Sequence, residues 1–208
     1  MKTTRILFQG DSITDAFRIR ETETHLGVGY SNLIASELGF ENPGKYEFIN
    51  KGVSGDRIVD LQARIKRDMI NIKPDIISIL IGINDVWHEI AEHNGVSTPK
   101  FELLYSMLIE EIKESLPDVK LMILEPFVLH GEATNEHWSD FRQGTEEKAA
   151  AAFRVADKYD IPFITLQEKF DRAFELAPEG YWLRDGVHPT QAGHELIKRE
   201  WIKAFKLL

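Results

Sequence analysis

Near its start the chain reads Ile6-Leu7-Phe8-Gln9-Gly10-Asp11-Ser12-Ile13-Thr14-Asp15, an apolar run followed at once by a polar turn. Apolar runs of similar length recur at residues 46–49, 76–81, 121–124 and 161–164. They show little alternation of apolar and polar residues, which is typical of strands covered by helices on both faces. We therefore predict that these runs are the buried strands of a parallel sheet.

The stretches between these runs have helical periodicity. Three of them place apolar residues three or four positions apart: Ile58, Leu61, Ile65, Met69 and Ile72, ending at Pro74; Phe101, Leu104, Leu108 and Ile112; and Ile197, Trp201 and Phe205. Each set predicts one apolar helix face. Strands that alternate with helices indicate parallel pairing with right-handed crossovers. The sequence therefore predicts an α/β fold, a three-layer α/β/α sandwich around a central parallel sheet of about five strands.

Length and charge limit the class of protein. With 208 residues and 43% hydrophobic residues, the chain is predicted to form a single domain over residues 1–208. Its net charge of −9 and the lack of a basic block argue against nucleic acid or an anionic membrane as partner. We expect a neutral or weakly charged small molecule as substrate.

Cysteine content and the first residues bear on mechanism and compartment. The chain has no cysteine, which excludes disulfides, a cysteine nucleophile and thiolate metal sites. Residues 1–5 lead straight into the first apolar run, without the extended apolar stretch and cleavage site of a secretory signal. We therefore predict a cytoplasmic enzyme.

Functional residues are expected just after each strand, because ligands of such sheets bind outside the carboxyl ends of the strands. These positions are residues 10–15, 50–56, 82–87, 125–137 and the turn around Asp185. The longest loop, residues 126–139, carries His130, His137 and Trp138. Loops of this length are usually functional or mobile. A surface excursion or a subunit contact is the alternative, so a homo-oligomer is compatible with the sequence.

Two turns at opposite ends of the chain carry the residue types of a catalytic triad. Ser12 follows the first strand, and Asp185 and His188 lie three positions apart near the end. If the fold joins them, they supply a nucleophile, a general base and an orienting carboxylate. Asp11 or Ser12 could instead only cap a helix. His194, in the last helical stretch, is predicted to be structural.

Two further turns carry donors suited to an oxyanion. Gly55 lies in the turn at 50–56, where a glycine lets backbone approach a ligand, and Asn84 follows the third strand with a neutral amide donor. Either turn alone is compatible with ordinary turn chemistry. Four such turns at one edge of the sheet favour a site.

Several other signatures are missing. The sequence has no Gly-x-Ser-x-Gly elbow, P-loop or dinucleotide fingerprint. His88 and His93 resemble the ligands of a zinc helix but are five positions apart, which removes them from a shared face. We therefore predict no cofactor and no metal site.

Four blocks of the sequence resemble those of the SGNH or GDSL hydrolases in order and approximate spacing: Gly10-Asp11-Ser12, Ser54-Gly55-Asp56, Gly82-Ile83-Asn84-Asp85 and Asp185-Gly186-Val187-His188-Pro189. The resemblance covers essentially the whole chain and implies a flavodoxin-like sheet and ester hydrolysis. Carried over, it makes Ser12 the nucleophile, His188 the base and Asp185 its partner. It also implies an oxyanion hole formed by the N–H groups of Ser12 and Gly55 and the amide of Asn84.

Within that family, residues 50–55 and 81–87 are most similar to the bacterial acetylxylan esterase branch, whose members remove acetyl groups from xylo-oligosaccharides. This implies a short-chain esterase acting on carbohydrate esters. Acyl and alcohol preferences lie in variable loops. The Leu183-Arg184 pair and the loop 126–139 are the places where a different specificity is expected.

Three residues are candidates for contact with substrate: Asp11, Trp87 and Trp182. The tryptophans offer an aromatic face for a sugar ring, with core packing as the alternative. Other functions stay open. They are a lipolytic esterase or thioesterase acting on longer acyl chains, a metal-dependent hydrolase, and a non-catalytic sugar-binding module. The metal-dependent enzyme would use Asp11, Asp15, Asp185 and His188 as ligands.

Overall fold

The computed structural model describes residues 3–22 and 24–208. Strands and helices alternate along most of the chain, in the order β1 (Thr4–Gly10), α1 (Ser12–Asp15), α2 (Tyr30–Glu41), β2 (Tyr46–Asn50), α3 (Ile58–Ala63), α4 (Ile65–Asp68), a 3₁₀ turn (Ile70–Ile72), β3 (Ile76–Leu80), α5 (Ile83–Glu92), α6 (Thr98–Ser115), β4 (Lys120–Leu124), α7 (Trp138–Lys158), β5 (Phe163–Ile164), α8 (Gln167–Phe174) and α9 (Gln191–Phe205).

The described residues form one five-stranded sheet in the order β2-β1-β3-β4-β5, and all of its strand pairs are parallel. The chain runs from β1 to β2 on one side and then crosses to β3 on the other side of β1. This reversal creates a switch point between β1 and β3, where ligands bind in sheets of this type. In the register, Gly10 lies beside Leu80, and Leu80 lies beside Leu124, so the segments after these strands share one edge.

Helices cover both faces of the sheet. On one face Ile6 and Phe8 pack with α2 and α9, and on the other face Leu7 packs with α3, α6 and α7. Neighbouring strand residues point to opposite faces, so burial of both faces explains the continuous apolar runs. The predicted three-layer sandwich with its flavodoxin-like strand order is confirmed.

One predicted helix face differs in the structure. Residues 58–72 are not one helix, because the backbone leaves helical geometry at Arg64 and again at Met69. Ile58, Leu61, Ile65 and Met69 are buried as expected. The segment ends at Lys73, with φ of 53° before Pro74. Helical periodicity therefore identified these four buried residues but not the breaks, and Ile72, the fifth residue of the predicted stripe, is only partly buried.

No helix in residues 3–22 and 24–208 is both long enough and apolar enough to cross a membrane.

Candidate active site

Ser12 is placed by the tight passage from β1 into α1. An added Cβ at Gly10 would lie 2.2 Å from the Leu80 carbonyl oxygen, so only glycine fits between the ends of β1 and β3. Asp11 caps α1, and its Oδ1 accepts from Ile13 N at 2.9 Å. Ser12 is therefore the first residue of a short helix at the carboxyl edge of the sheet, beside the switch point.

The fold brings the two distant turns together. Ser12 Oγ lies 3.0 Å from His188 Nε2, and His188 Nδ1 lies 2.6 Å from Asp185 Oδ2. The N–H groups of Val187 and His188 donate to Asp185 Oδ1 at 3.0 and 2.8 Å. Asp185 is therefore held by its own turn while it orients the imidazole.

The protonation of Asp185 decides the direction of this chain of hydrogen bonds. Burial acts to raise its pKa, but hydrogen bonds from the His188 side chain and from the N–H groups of His188 and Val187 outweigh burial, and the pKa falls to about 2. The ionised carboxylate can only accept, so His188 Nδ1 carries the hydrogen. Nε2 is then left as the acceptor for the Ser12 hydroxyl.

The oxyanion candidates line the same cavity as Ser12 and His188. This cavity has a volume of about 370 Å³ and includes Gly55, Asn84 and Trp87. Gly55 lies in a turn closed by a bond from Asp56 N to Val53 O, with φ of 87°, and nothing occupies the space where a Cβ would stand. Positive φ makes glycine the favoured residue there. Its backbone is therefore open to a ligand.

Asn84 and Asp85 connect the start of α5 to the segment that carries Gly55. Asn84 Nδ2 donates to Asp56 O at 3.0 Å, next to Gly55. Both carboxyl oxygens of the buried Asp85 lie 3.2 and 3.3 Å from Ile58 N, and burial raises its pKa to about 8. These contacts fix the separation of the Gly55 turn and α5, because each connects backbone of one block to a side chain of the other.

Arg64 is a buried residue that the sequence analysis missed. Its guanidinium bonds Asp56 Oδ2 at 2.7 Å and Asp68 Oδ2 at 3.2 Å, and it donates to the carbonyls of Lys51 and Gly10 at 2.8 and 3.2 Å. It therefore connects the strand end before Ser12 with the loop that carries Gly55. The available signal was an arginine three positions after Leu61, within the apolar stripe and among aspartates.

The long loop packs against the turn that carries Asp185 and His188. Leu129 N donates to Gly186 O at 2.9 Å and Ala133 N to Asp185 O at 3.0 Å. Gly131 packs directly against the backbone of Asp185 and Gly186. The loop runs to His137 before α7 begins at Trp138, and its residues Phe127, Val128 and Leu129 are buried. It is a packed support for the Asp185 turn, a role that its polar composition did not reveal.

A second, smaller cavity adjoins Ser12 and His188. Its volume is about 160 Å³, and its apolar walls include Ala16, Val28 and Pro189. Phe17 and Arg184 line both cavities and stand between them. An ester held at Ser12 thus has two compartments of unequal size for its two halves.

The predicted substrate-contact residues separate into two groups. The Trp87 ring lies in the larger cavity, 5.9 Å from the His188 ring, with Phe141 edge-on at 5.7 Å. Asp11 does not line either cavity, because its carboxyl is buried under α1 and used for capping. Trp182 lies elsewhere too: it packs on Tyr181 and lines a groove between α8 and α9.

The structure also bears on the role of His194 and on the hypothesis of a metal site. His194 is buried, and its Nδ1 accepts from Tyr30 N at 3.2 Å, as fits the structural role that the sequence suggested. The proposed ligands Asp11, Asp15, Asp185 and His188 do not converge: Asp15 pairs with Arg20 at 2.8 Å, and within residues 3–22 and 24–208 no three such side chains form a group able to hold a metal.

Comparisons with known proteins show which family the chain is similar to. The model of the GDSL-like lipase/acylhydrolase family matches residues 8–196. An acetylxylan esterase of Geobacillus stearothermophilus is 32% identical over 96% of this chain and 92% of its own length. A structure described as a GDSL-like lipase of Parabacteroides merdae superposes with a TM-score of 0.94 at 33% identity, covering 100% of this chain and 97% of that one. The acetylxylan esterase Axe2 of G. stearothermophilus gives 0.86 at 30% identity, covering 97% and 93%.

Proposed function

The chain belongs to the GDSL-like lipase/acylhydrolase family and is a carboxylic ester hydrolase, and from this membership we propose that it removes acetyl groups from carbohydrates such as xylo-oligosaccharides. The proposed catalytic residues are Ser12, His188 and Asp185. The observation that carries this proposal is the continuous path from Ser12 Oγ to His188 Nε2 at 3.0 Å and from His188 Nδ1 to Asp185 Oδ2 at 2.6 Å.

In the proposed mechanism His188 accepts the hydroxyl proton as Ser12 Oγ attacks the ester carbonyl. The ionised Asp185 then stabilises the imidazolium that forms and holds its orientation. His188 returns the proton to the departing alcohol, which leaves an acetyl-enzyme on Ser12. Water, activated by the same imidazole, hydrolyses this intermediate and releases acetate.

The negative charge of the tetrahedral intermediate would be held by three donors: the N–H groups of Ser12 and Gly55 and the side-chain amide of Asn84. Ser12 N lies in the first turn of a helix, where the backbone favours negative charge. Asn84 Nδ2 uses one hydrogen for Asp56 O and keeps a second for substrate. Donors fixed in advance of the reaction lower its barrier most effectively.

The two cavities support a short acyl group. We assign the acyl group to the compartment of about 160 Å³ and the sugar to the one of about 370 Å³, which contains Trp87. The smaller space limits the length of the acyl chain, and the partly exposed aromatic face of Trp87 suits a sugar ring. This arrangement favours acetyl esters over the longer acyl chains of a lipolytic esterase or thioesterase.

The test compares hydrolysis of nitrophenyl acetate, nitrophenyl decanoate and acetylated xylo-oligosaccharide by wild type, Ser12→Ala and Ser54→Ala. Ser54 is the matched control, because its hydroxyl lies in the same cavity without a histidine partner. We expect acetate release that falls by several orders of magnitude in Ser12→Ala and stays within a few-fold of wild type in Ser54→Ala.

Other outcomes would point elsewhere. Equal loss in both serine variants would remove the assignment of Ser12 as nucleophile. A higher rate on the decanoate would replace the acetyl preference by a lipolytic one. Activity that survives Ser12→Ala but is lost with chelator would support metal-dependent chemistry, and affinity for xylo-oligosaccharide without any hydrolysis would support a binding module.

A further inference from the structure

The guanidinium of Arg184 has no carboxylate partner in the described part of the chain, and the partly buried Arg18 differs from it by donating to the Gly52 carbonyl at 2.8 Å. Arg20, Arg57 and Arg64 each pair with an aspartate. The Arg184 guanidinium instead lies over the Phe17 ring, 5.5 Å from its centroid. Arg184 is exposed, so its charge is available to a ligand.

The position of Arg184 is fixed by the catalytic turn. Its backbone N–H donates to His188 O at 2.9 Å, and the neighbouring Leu183 forms a bridge with Pro189. Arg184 directly precedes Asp185 and lines both cavities beside Ser12 and His188. Phe17, whose φ of 61° is unusual for a bulky residue, is 71% exposed and supports the guanidinium from below.

The positive charge of the Arg184 guanidinium contrasts with the negative charge of the protein around it. The chain carries a net charge of −9, and Glu92 also lines the larger cavity but forms no ion pair with Arg184 among the described residues. An anionic ester is therefore repelled by the protein as a whole and gains attraction only near Arg184. A guanidinium recognises a planar carboxylate through two parallel hydrogen bonds.

We propose that Arg184 is a specificity residue that selects esters whose alcohol part carries a carboxylate, such as an acetylated glycan containing an acidic sugar. The inference rests on the proposed acetyl esterase function and narrows its substrate class. Arg184 lines both cavities, and we place the carboxylate on the alcohol side because the smaller cavity, of about 160 Å³, is assigned to the acyl group and the larger one, of about 370 Å³, to the sugar. It revises the expectation of a neutral or weakly charged substrate.

The test measures kcat/KM for meta-acetoxybenzoate and for meta-acetoxybenzamide, its neutral analogue, in wild type, Arg184→Gln, Arg184→Lys and Arg199→Gln. We expect the ratio of benzoate to benzamide to fall about fivefold in Arg184→Gln and less in Arg184→Lys, as a partly exposed ion pair allows. Added salt should reduce the wild-type ratio in the same direction.

Arg199→Gln is the matched control. It changes the net charge by the same amount, but Arg199 lies in the groove between α8 and α9 and pairs with Glu195 at 2.8 Å. We expect its ratio to equal that of wild type. An equal fall in Arg199→Gln would show that overall charge, not Arg184, sets the preference, and would overturn the proposal.

A binding measurement tests this inference independently of the proposed reaction. The affinity of Ser12→Ala for both esters, followed by NMR titration with and without Arg184→Gln, does not depend on turnover. Tighter binding of the benzoate that requires Arg184 supports the subsite even where neither ester is hydrolysed. An unchanged ratio in Arg184→Gln, or a charge preference found only with nitrophenyl hemisuccinate, where the carboxylate is in the acyl group, would contradict it.

Discussion

The Asn84 side chain combines a structural contact with the proposed role in the oxyanion hole. Its amide reaches the carbonyl of Asp56 and lines the cavity beside Ser12. The neighbouring Asp85 faces away from Ser12 and contacts Ile58 N instead. Two consecutive polar residues thus have different tasks, because they project from different sides of the first turn of α5.

Replacing Asn84 tests the proposed oxyanion hole. Asn84→Ala removes one donor, so we expect kcat for acetyl esters to fall about a hundredfold, which corresponds to about 3 kcal/mol of transition-state stabilisation. Asn94→Ala, at the other end of the same helix region and exposed, is the control and should keep the wild-type rate. Steady-state kinetics measures both, and an undiminished kcat in Asn84→Ala would remove Asn84 from the mechanism.

At the scale of elements, the buried Arg64 connects segments that carry the site. Arg64 and Arg67 both pair with Asp68, but their side chains are 9% and 76% exposed. Removal of a buried partner leaves an uncompensated charge, whereas an exposed pair contributes little. The two arginines therefore form a natural comparison.

We expect Arg64→Met to lower the free energy of unfolding by about 3 to 5 kcal/mol and Arg67→Met by less than about 1 kcal/mol. Urea denaturation followed by tryptophan fluorescence measures both. In Arg64→Met the loop carrying Gly55 also loses its connection to the end of β1, so kcat should fall with stability. Equal effects of the two substitutions would show that burial of Arg64 is not what stabilises the fold.

The packing of α9 on α2 should depend on pH. Burial, with smaller contributions from the charges of Arg184 and His188, lowers the pKa of His194 from 6.5 to about 4. Between these values the unfolded chain binds a proton that the folded protein does not. The contribution of the neutral His194 to the free energy of unfolding is therefore complete above pH 6.5 and is lost as the pH falls towards 4.

His194→Gln keeps an acceptor for Tyr30 N–H and removes the titration. We expect the variant to lose less stability than wild type between about pH 7 and pH 4, by up to about 3 kcal/mol. Asp11 and Asp85, whose pKa values burial raises to about 7 and about 8, act in the opposite direction in this window. Their contribution cancels when the free energy of unfolding of wild type, from urea denaturation, is subtracted from that of the variant at each pH. Parallel pH profiles would contradict the prediction.

For the whole molecule, the turn that carries Asp185 and His188 packs against a loop far from it in sequence. An added Cβ at Gly131 would lie 2.2 Å from Gly186 N and 2.3 Å from the Asp185 carbonyl carbon, both backbone atoms. Backbone atoms cannot move aside as the end of a flexible side chain can. The turn that carries Asp185 and His188 would therefore have to move relative to Ser12.

We expect Gly131→Ala to lower kcat about tenfold or more, since small displacements of catalytic groups are costly. Gly39→Ala is the control: Gly39 lies within α2, nothing stands within 4 Å of its added Cβ, and helix propensity predicts a gain of about 0.5 to 1 kcal/mol. Kinetics and thermal unfolding distinguish the two. A wild-type rate in Gly131→Ala would show that the loop can retreat without moving the turn.

Much of the fold could be predicted from the sequence because its signals are local. Apolar runs such as residues 76–81 identify strands buried on both faces, and three- and four-residue spacing identifies helix faces such as Ile197 and Trp201. The breaks at Arg64 and Met69 could not be found in this way, because an apolar stripe does not record where the backbone leaves a helix.

The candidate site likewise has features that the sequence predicts and features that only the tertiary structure gives. The sequence by itself determined the residue types and their order, including Ser12, Gly55, Asn84, Asp185 and His188, because turns after buried strands reach one edge of a parallel sheet. Only the tertiary structure decided that Ser12 and His188 lie 3.0 Å apart, that Asp11 and Trp182 lie outside the cavities, and that Arg184 stands unpaired beside them. Distances between residues separated by most of the chain depend on how helices and loops pack, and no local pattern carries that information.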